Sequence, residues 1–313
     1  MPELIGYLFT LDALFTWGLA SLVYKFGLSK GNTKPKASLL FRLIIVSLST
    51  FILSLIIGNY SFFSILNNQE IIDYLVACFI SGFSVTLGDL LYFLSLKKID
   101  ASRSYPLTQL SLVFVYPFAF IYFDEQITPA LLIGGMLILS SVFFLSTKDK
   151  LENNNSNTKN NQKSVESLVA GVLLAIGTAF FWALAIVSFN QARIISADVF
   201  ITNFIRVIFG TTIFLIIGLF QIEYYSGFTK ENRNSLKYYF LIALAGSLSL
   251  GFADSLFYKA VEINGLVLTS TFTVNTPMVQ QIFSILVLKE KFRKRFLLAV
   301  ILIVLGNYVI LFI

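Results

Sequence analysis

The sequence predicts an all-α polytopic membrane protein: ten transmembrane helices arranged as two inverted five-helix repeats. Three observations predict it. Apolar residues make up 57% of the 313-residue chain and charged residues 13%, where a soluble domain has roughly a quarter charged; mean hydropathy is +0.81. The apolar runs often exceed ~18 residues, the length of a helix that crosses a bilayer, and do not alternate as a membrane strand would. Third, marks in the first half return about 165 positions later, while the basic residues of the matching loops do not.

The spans follow in order. Residues 4–26 carry one acid, Asp12, lack the basic start of a signal peptide and are long enough to stay as a span. Residues 39–58 follow Pro35, hold Arg42 near their start and end at Gly58. Residues 71–96 contain Asp89 within "TLGDLLYF". Residues 104–123 include Pro106 and Pro117 and stop at Asp124 and Glu125; the Gly-rich run 127–147 closes the first half. The Asn-rich, charged segment 148–166 is expected to be a flexible polar linker between repeats 1–147 and 167–313. The second half repeats the order: 167–190 with Trp182, 198–220 with Arg206, 237–261 with Asp254, 266–288 with Pro277, and 294–313.

Four marks support the duplication. Trp17 and Trp182 are 165 positions apart, as are Asp89 and Asp254, and Glu125 and Glu290; Arg42 and Arg206 are 164 apart. Charge supports the inversion. Lys25, Lys30, Lys34 and Lys36 follow the first span, whereas only Arg193 follows the sixth. No base lies between the second and third spans, whereas Lys230, Arg233 and Lys237 occupy the matching segment. Lys97, Lys98 and Arg103 match Lys259 alone, and Asp124–Glu125 match a run rich in Lys and Arg after 288. With an odd number of spans per half, this pattern puts the basic loops and the linker on one side, expected to be the cytoplasm, and both termini outside.

Composition also excludes classes. The net charge of +6 comes from short loops rather than a basic face, so no nucleic-acid partner is expected. Histidine is absent, which rules out a Ser-His-Asp triad and removes the commonest metal ligand. The one cysteine, Cys78, allows no internal disulfide. No cofactor and no metal are expected.

The "WG" of the first span, the Arg early in the second, "LYFLSLKKIDASRSYPL" across the third and fourth, and the Glu before a Gly-rich fifth together resemble the EamA-like members of the drug/metabolite transporter superfamily. The resemblance covers nearly the whole chain. It implies a central solute cavity lined by spans 1 to 4 and 6 to 9, with spans 5 and 10 at the periphery, and transport of a small metabolite, often export. Two features depart from it: "WA" replaces "WG" at Trp182–Ala183, and the basic loops argue for external termini where relatives usually have cytoplasmic ones.

Polar residues inside the spans are the candidate translocation path, because a charge at the bilayer centre costs about 2.5–3.5 kcal/mol on insertion scales and needs a partner or a hydrated cavity. Asp89 and Asp254 either bind a proton or a solute amino group, or cap a neighbouring helix N-terminus, or pair with Lys259 or an arginine for assembly. Arg206 is a candidate clamp for a solute carboxylate; Arg42, nearer its helix end, is expected to snorkel to headgroups. Trp17 and Trp182, mid-span, and Tyr92 and Tyr258, on the faces of the two aspartates, are candidate lining. So are Tyr105, Gln109, Asn275 and Gln280. Pro106, Pro117 and Pro277 are candidate hinges. Asp12 is expected to be hydrated near the outer interface, and Glu125 and Glu290 to cap spans 5 and 10 or to form a gate pair with nearby bases.

The expected function is a secondary transporter of the cytoplasmic membrane, an exporter of a small polar metabolite such as an amino acid, working by alternating access with protons as the candidate coupling ion. The alternatives are an uncoupled facilitator or exchanger and a lipid-handling membrane enzyme. A monomer and a homodimer are both compatible with the sequence.

Overall fold

The computed structural model describes residues 2–146, 158–196, 198–228, 235–288 and 294–312. Among them the chain is helical and strand-free. Its helices are α1 (Pro2–Lys30), α2 (Pro35–Ile57), α3 (Asn68–Lys98), α4 (Ala101–Thr108), α5 (Ser111–Phe123), α6 (Pro129–Ser146), α7 (Thr158–Ile195), α8 (Val199–Phe220), α9 (Leu236–Gly246), α10 (Asp254–Asn264), α11 (Leu266–Thr273), α12 (Thr276–Leu288) and α13 (Lys294–Phe312). Helix α7 begins inside the segment expected to be linker; residues 147–157 and Glu290 lie outside the described residues.

Local chemistry sets the helix starts. Pro35 opens α2, where a missing N–H costs nothing. Asn67 and Glu70 form a reciprocal capping box on α3, at 2.9 and 2.8 Å. Asp198 Oδ1 accepts the amides of Phe200 and Ile201 at the start of α8, each at 2.9 Å. Glu125, expected to cap the fifth span that follows it, instead accepts the amides of Leu266 and Val267, both at 2.8 Å, and so caps α11 in the second repeat. Just before that cap, Gly265 turns the chain at φ +83.

Seven helical stretches are long and apolar enough to cross a membrane: Leu4–Lys30, Pro35–Ile57, Asn68–Lys98, Ala101–Phe123, Glu166–Ile195, Val199–Phe220 and Leu236–Asn264. Two shorter apolar helices, Pro129–Ser141 and Leu297–Phe312, occupy the expected fifth and tenth positions. The expected fourth and ninth spans are not continuous helices. Each is split: α4 and α5 meet at Gln109–Leu110, and α11 and α12 meet at Val274–Asn275. These junctions are 165 positions apart and have the same form. Gln109 and Leu110 donate to Pro106 and Leu107, and Val274 and Asn275 donate to Thr271 and Phe272, three residues back in each case. The sequence placed the interruptions at prolines. In fact Pro106 lies before its break, Pro277 just after the other, in the first turn of α12, and Pro117 inside α5, which continues to Phe123.

The third and eighth positions also differ. Helix α3 is regular, whereas Ser247–Ala253 between α9 and α10 is a π segment. There the Asp254 amide donates to Ser249 O, five residues back.

The polarity is inside out. Leu4, Leu8, Leu11, Phe15 and Leu19 form an exposed apolar stripe at helical spacing along α1, while Arg42, Asp89, Arg206 and Asp254 are buried. The periphery is α6 against α13, where Gly134 and Gly306 let the backbones meet.

The loops sort into two groups by their contacts. In one, Ser235 donates to Gly31 O at 2.9 Å, Lys36 pairs with Glu223 at 3.0 Å, Lys25 donates to Ile99 O at 3.0 Å and Lys97 to Leu28 O at 2.5 Å. In the other, Asn59 N–H donates to Asp198 at 2.6 Å, Glu125 holds Leu266, and Asn264 lies against Gly6.

Candidate functional site

Asp89 sits on α3, two turns from its end, beside Gly88. Arg42, one helix back on α2, reaches it with Nη2 at 2.8 Å from Oδ2. Trp182, on α7 of the other repeat, donates its indole N–H to Asp89 Oδ1 at 3.1 Å. Gly88 makes that approach possible: a Cβ there would lie 2.6 Å from Trp182 Cδ1.

The second half builds the same cluster. Arg206 on α8 pairs with Asp254 Oδ2 at the start of α10, and Trp17 on α1 donates to Asp254 Oδ1 at 2.9 Å. Each carboxylate therefore takes its arginine from its own repeat and its tryptophan from the other. The surrounding rings are matched too. Trp182 packs on Tyr92 at 5.4 Å between centroids and Trp17 on Phe257 at 5.3 Å, and Phe257 lies 165 positions beyond Tyr92. Arg42 lies over Tyr24 and Phe93 at 5.1 and 5.6 Å. Arg206 lies over Phe189 and Tyr258, their repeat counterparts, at 4.6 and 5.3 Å.

The two clusters face one cavity of about 110 Å³, room for several waters at ~10–15 Å³ each. Trp17, Asp89, Tyr92, Tyr105, Gln109, Trp182, Arg206, Asp254 and Tyr258 all line it. Asn275 and Gln280 do not. Asn275 exchanges hydrogen bonds with Asn307 of α13, at 3.0 and 3.2 Å, beside the α11–α12 break. Gln280 is buried where α12 crosses α1 at Gly18.

Arg42 is the main correction. Expected at the headgroups, it is 2% exposed, paired with Asp89 and part of the cavity wall. Seven residues of α2 precede Arg42, and α3 offers its guanidinium a carboxylate at that depth. Lys259 is no partner for Asp254; it pairs with Glu262 at 2.8 Å. Asp12 is exposed.

Sequence reasoning missed Asn203, Tyr24 and Ser249. Asn203 Oδ1 accepts from Arg206 Nε at 2.8 Å, and its amide group donates to Leu250 O, Gly251 O and Ser255 Oγ at 2.8–2.9 Å. Its signal was the i, i+3 spacing to Arg206. Tyr24 OH bonds Ser249 Oγ at 2.6 Å, joining α1 to the π segment.

The profile of the EamA-like transporter family matches residues 4–147 and again 169–312. The chain belongs to the EamA-like transporter family. Members of this family are transporters, and the two matches are the two repeats whose clusters meet at the cavity. A solved structure described as "Crystal structure of protein" is similar to it in fold, with a TM-score of 0.67 and 17% identity, over 98% of this chain and 95% of that one. No curated protein matches the chain. Among the described residues no group of three His, Cys, Asp or Glu side chains could hold a metal ion.

Proposed function

We propose that this EamA-like protein is a secondary transporter that moves a small polar metabolite, with amino acids the candidate class, across the cytoplasmic membrane by alternating access. The observation that carries this reading is the shared composition of the two clusters around one cavity. The Arg42–Asp89 and Arg206–Asp254 pairs each lie within a repeat and travel with it. The Trp182–Asp89 and Trp17–Asp254 bonds cross between repeats, so a rocking motion breaks and remakes these while the ion pairs keep the charges compensated. The matched breaks at 109–110 and 274–275 are the positions where the helices can bend.

The same reading has ten crossings in two inverted repeats, and the loop contacts support the inversion. Segments around 31, 99 and 223 meet one another, while those around 59, 125, 198 and 265 meet elsewhere, so repeat counterparts such as 31 and 196 fall in opposite groups. The basic group is assigned to the cytoplasm and the termini to the outside; export is the direction the family resemblance implies.

Flux of amino acids into proteoliposomes tests this. Asp89→Asn and Asp254→Asn are each expected to lower it at least ~10-fold, since each leaves a buried arginine without its counter-ion. Unchanged flux in both would remove the carboxylates from the mechanism. A second reading, an uncoupled facilitator or exchanger, is favoured by one feature: both cavity carboxylates are already paired with arginine, which leaves neither free to carry a proton. Counterflow without accumulation under an imposed pH gradient is its expected signature.

A further inference from the structure

The two ion pairs share a plan but differ in how fully their arginines are satisfied. Arg206 uses Nε on Asn203 Oδ1, Nη1 on Tyr258 OH at 3.3 Å and Nη2 on Asp254. Arg42 uses only Nη2, on Asp89. Its Nε and Nη1 are buried with no hydrogen-bond partner among the described residues. The sequence explains the difference. Three residues before Arg206 stands Asn203; three before Arg42 stands Leu39. The ring on α10 beside Arg206 is Tyr258; its counterpart on α3 beside Arg42 is Phe93. The one hydroxylated ring over Arg42, Tyr24, gives its hydroxyl to Ser249 instead. Ring faces attract the guanidinium charge but leave those N–H groups without an oxygen acceptor. An arginine N–H buried without an acceptor is costly, and the side chain that carries these two is part of the cavity wall.

We propose that Arg42 is the attachment point for the carboxylate of a zwitterionic solute, which binds by opening the Arg42–Asp89 pair. The solute carboxylate replaces Asp89 on the guanidinium and supplies the acceptor that Nε and Nη1 lack. The solute ammonium takes Asp89 in exchange, while Trp182 keeps its bond to the other carboxylate oxygen. One positive and one negative group enter together, so the site's charge is unchanged and no proton is needed. Tyr92, Tyr105 and Trp182, with centroids 5.4–6.3 Å apart, form the apolar wall beside Asp89 for the solute side chain. The Arg206–Asp254 pair, with each guanidinium nitrogen engaged, stays closed as a brace. This assignment rests on the transport reading and gives its two repeats different tasks.

Calorimetric titration of the purified full-length protein with L-alanine, L-leucine and L-phenylalanine tests it. At least one is expected to bind. L-leucinamide, which lacks the carboxylate, and 4-methylpentanoate, which lacks the ammonium, are expected to bind about ten-fold or more weakly than L-leucine. Arg42→Lys, which keeps the charge but not the planar donor set, is expected to weaken amino-acid binding by about the same factor. The double variant Arg42→Gln with Asp89→Asn removes both charges together, strands neither, and is expected to abolish binding with helicity by circular dichroism unchanged. Binding of none of the three amino acids, equal binding of L-leucine and its amide, or unaltered affinity in the double variant would overturn the proposal. Proteoliposome flux separates its failure from that of the transport reading. Flux of a sugar or nucleobase that survives in the double variant sinks the Arg42 assignment alone, whereas the absence of any solute flux sinks transport itself.

Discussion

Asn203 holds more of the second cluster together than any residue the repeat pattern singles out. Its carbonyl oxygen fixes Arg206 Nε, and its amide ties α8 to two carbonyls of the π segment. Asn203→Leu, which copies the first repeat's Leu39, would strip an acceptor from a buried cation and partners from both carbonyls. The expected cost is about 2–3 kcal/mol, read as a lower unfolding midpoint in detergent; a loss under ~0.5 kcal/mol would show that water replaces the side chain. At this scale the repeated residues were legible. Asp89, Asp254, Trp17 and Trp182 stand at one offset, and only a duplication makes such residues recur together. Asn203 has apolar Leu39 as its counterpart in the first repeat and so left no such trace. The burial of Arg42 is not legible in the same way, because position along a helix reports depth but not which neighbour covers the side chain, here the buried carboxylate of α3.

Helix crossings are where glycine identity matters. Helices α3 and α8 touch backbone to backbone: a Cβ on Gly82 would fall on the Arg206 carbonyl oxygen, and one on Gly210 would lie 2.7 Å from the Gly82 oxygen. Gly82→Ala is therefore expected to destabilise by about 1–3 kcal/mol and to push α8, with Arg206, away from α3. Gly251, on the π segment, has its nearest neighbours at 3.4 and 3.5 Å, an ordinary contact, so Gly251→Ala is expected to leave the midpoint within ~0.5 kcal/mol. Parallel midpoints for the two variants decide it; equal losses would mean that the α3–α8 crossing relaxes freely. Both glycines read alike in the sequence, because the composition of one helix does not say which turn meets a neighbour. The broken helices were half legible for a related reason. The prolines marked the right spans, but the junctions lie at Gln109–Leu110 and Val274–Asn275, where the i→i−3 bonds gather.

The proposed inversion concerns the whole molecule, and its sequence support is that duplicated loops with unequal basic charge need opposite surroundings. It can be tested directly. Native Cys78 is buried, so a Cys78→Ser background leaves introduced thiols as the sole reporters. Ser29 and Ile194 are repeat counterparts, 165 positions apart, and both are exposed. Ser64 and Gln221, in the loops after α2 and α8, are exposed as well. Lys36 reaches both Gln221 and Glu223, at 3.0 Å each, which ties the loop after α8 to the one after α1. Asn59 and Asp198 tie the loop after α2 to the one after α7. Ser64→Cys and Ile194→Cys should therefore react with a membrane-impermeant maleimide in intact cells, and Ser29→Cys and Gln221→Cys only after permeabilisation. The opposite assignment of all four would keep the inverted architecture and reverse its orientation, moving the termini inside. Labelling of Ser29→Cys and Ile194→Cys from the same side would mean that the two halves run parallel. The Trp182–Asp89 and Trp17–Asp254 bonds would then no longer be equivalent by a rotation in the membrane plane, and the exchange of access between the two repeats would lose its structural basis.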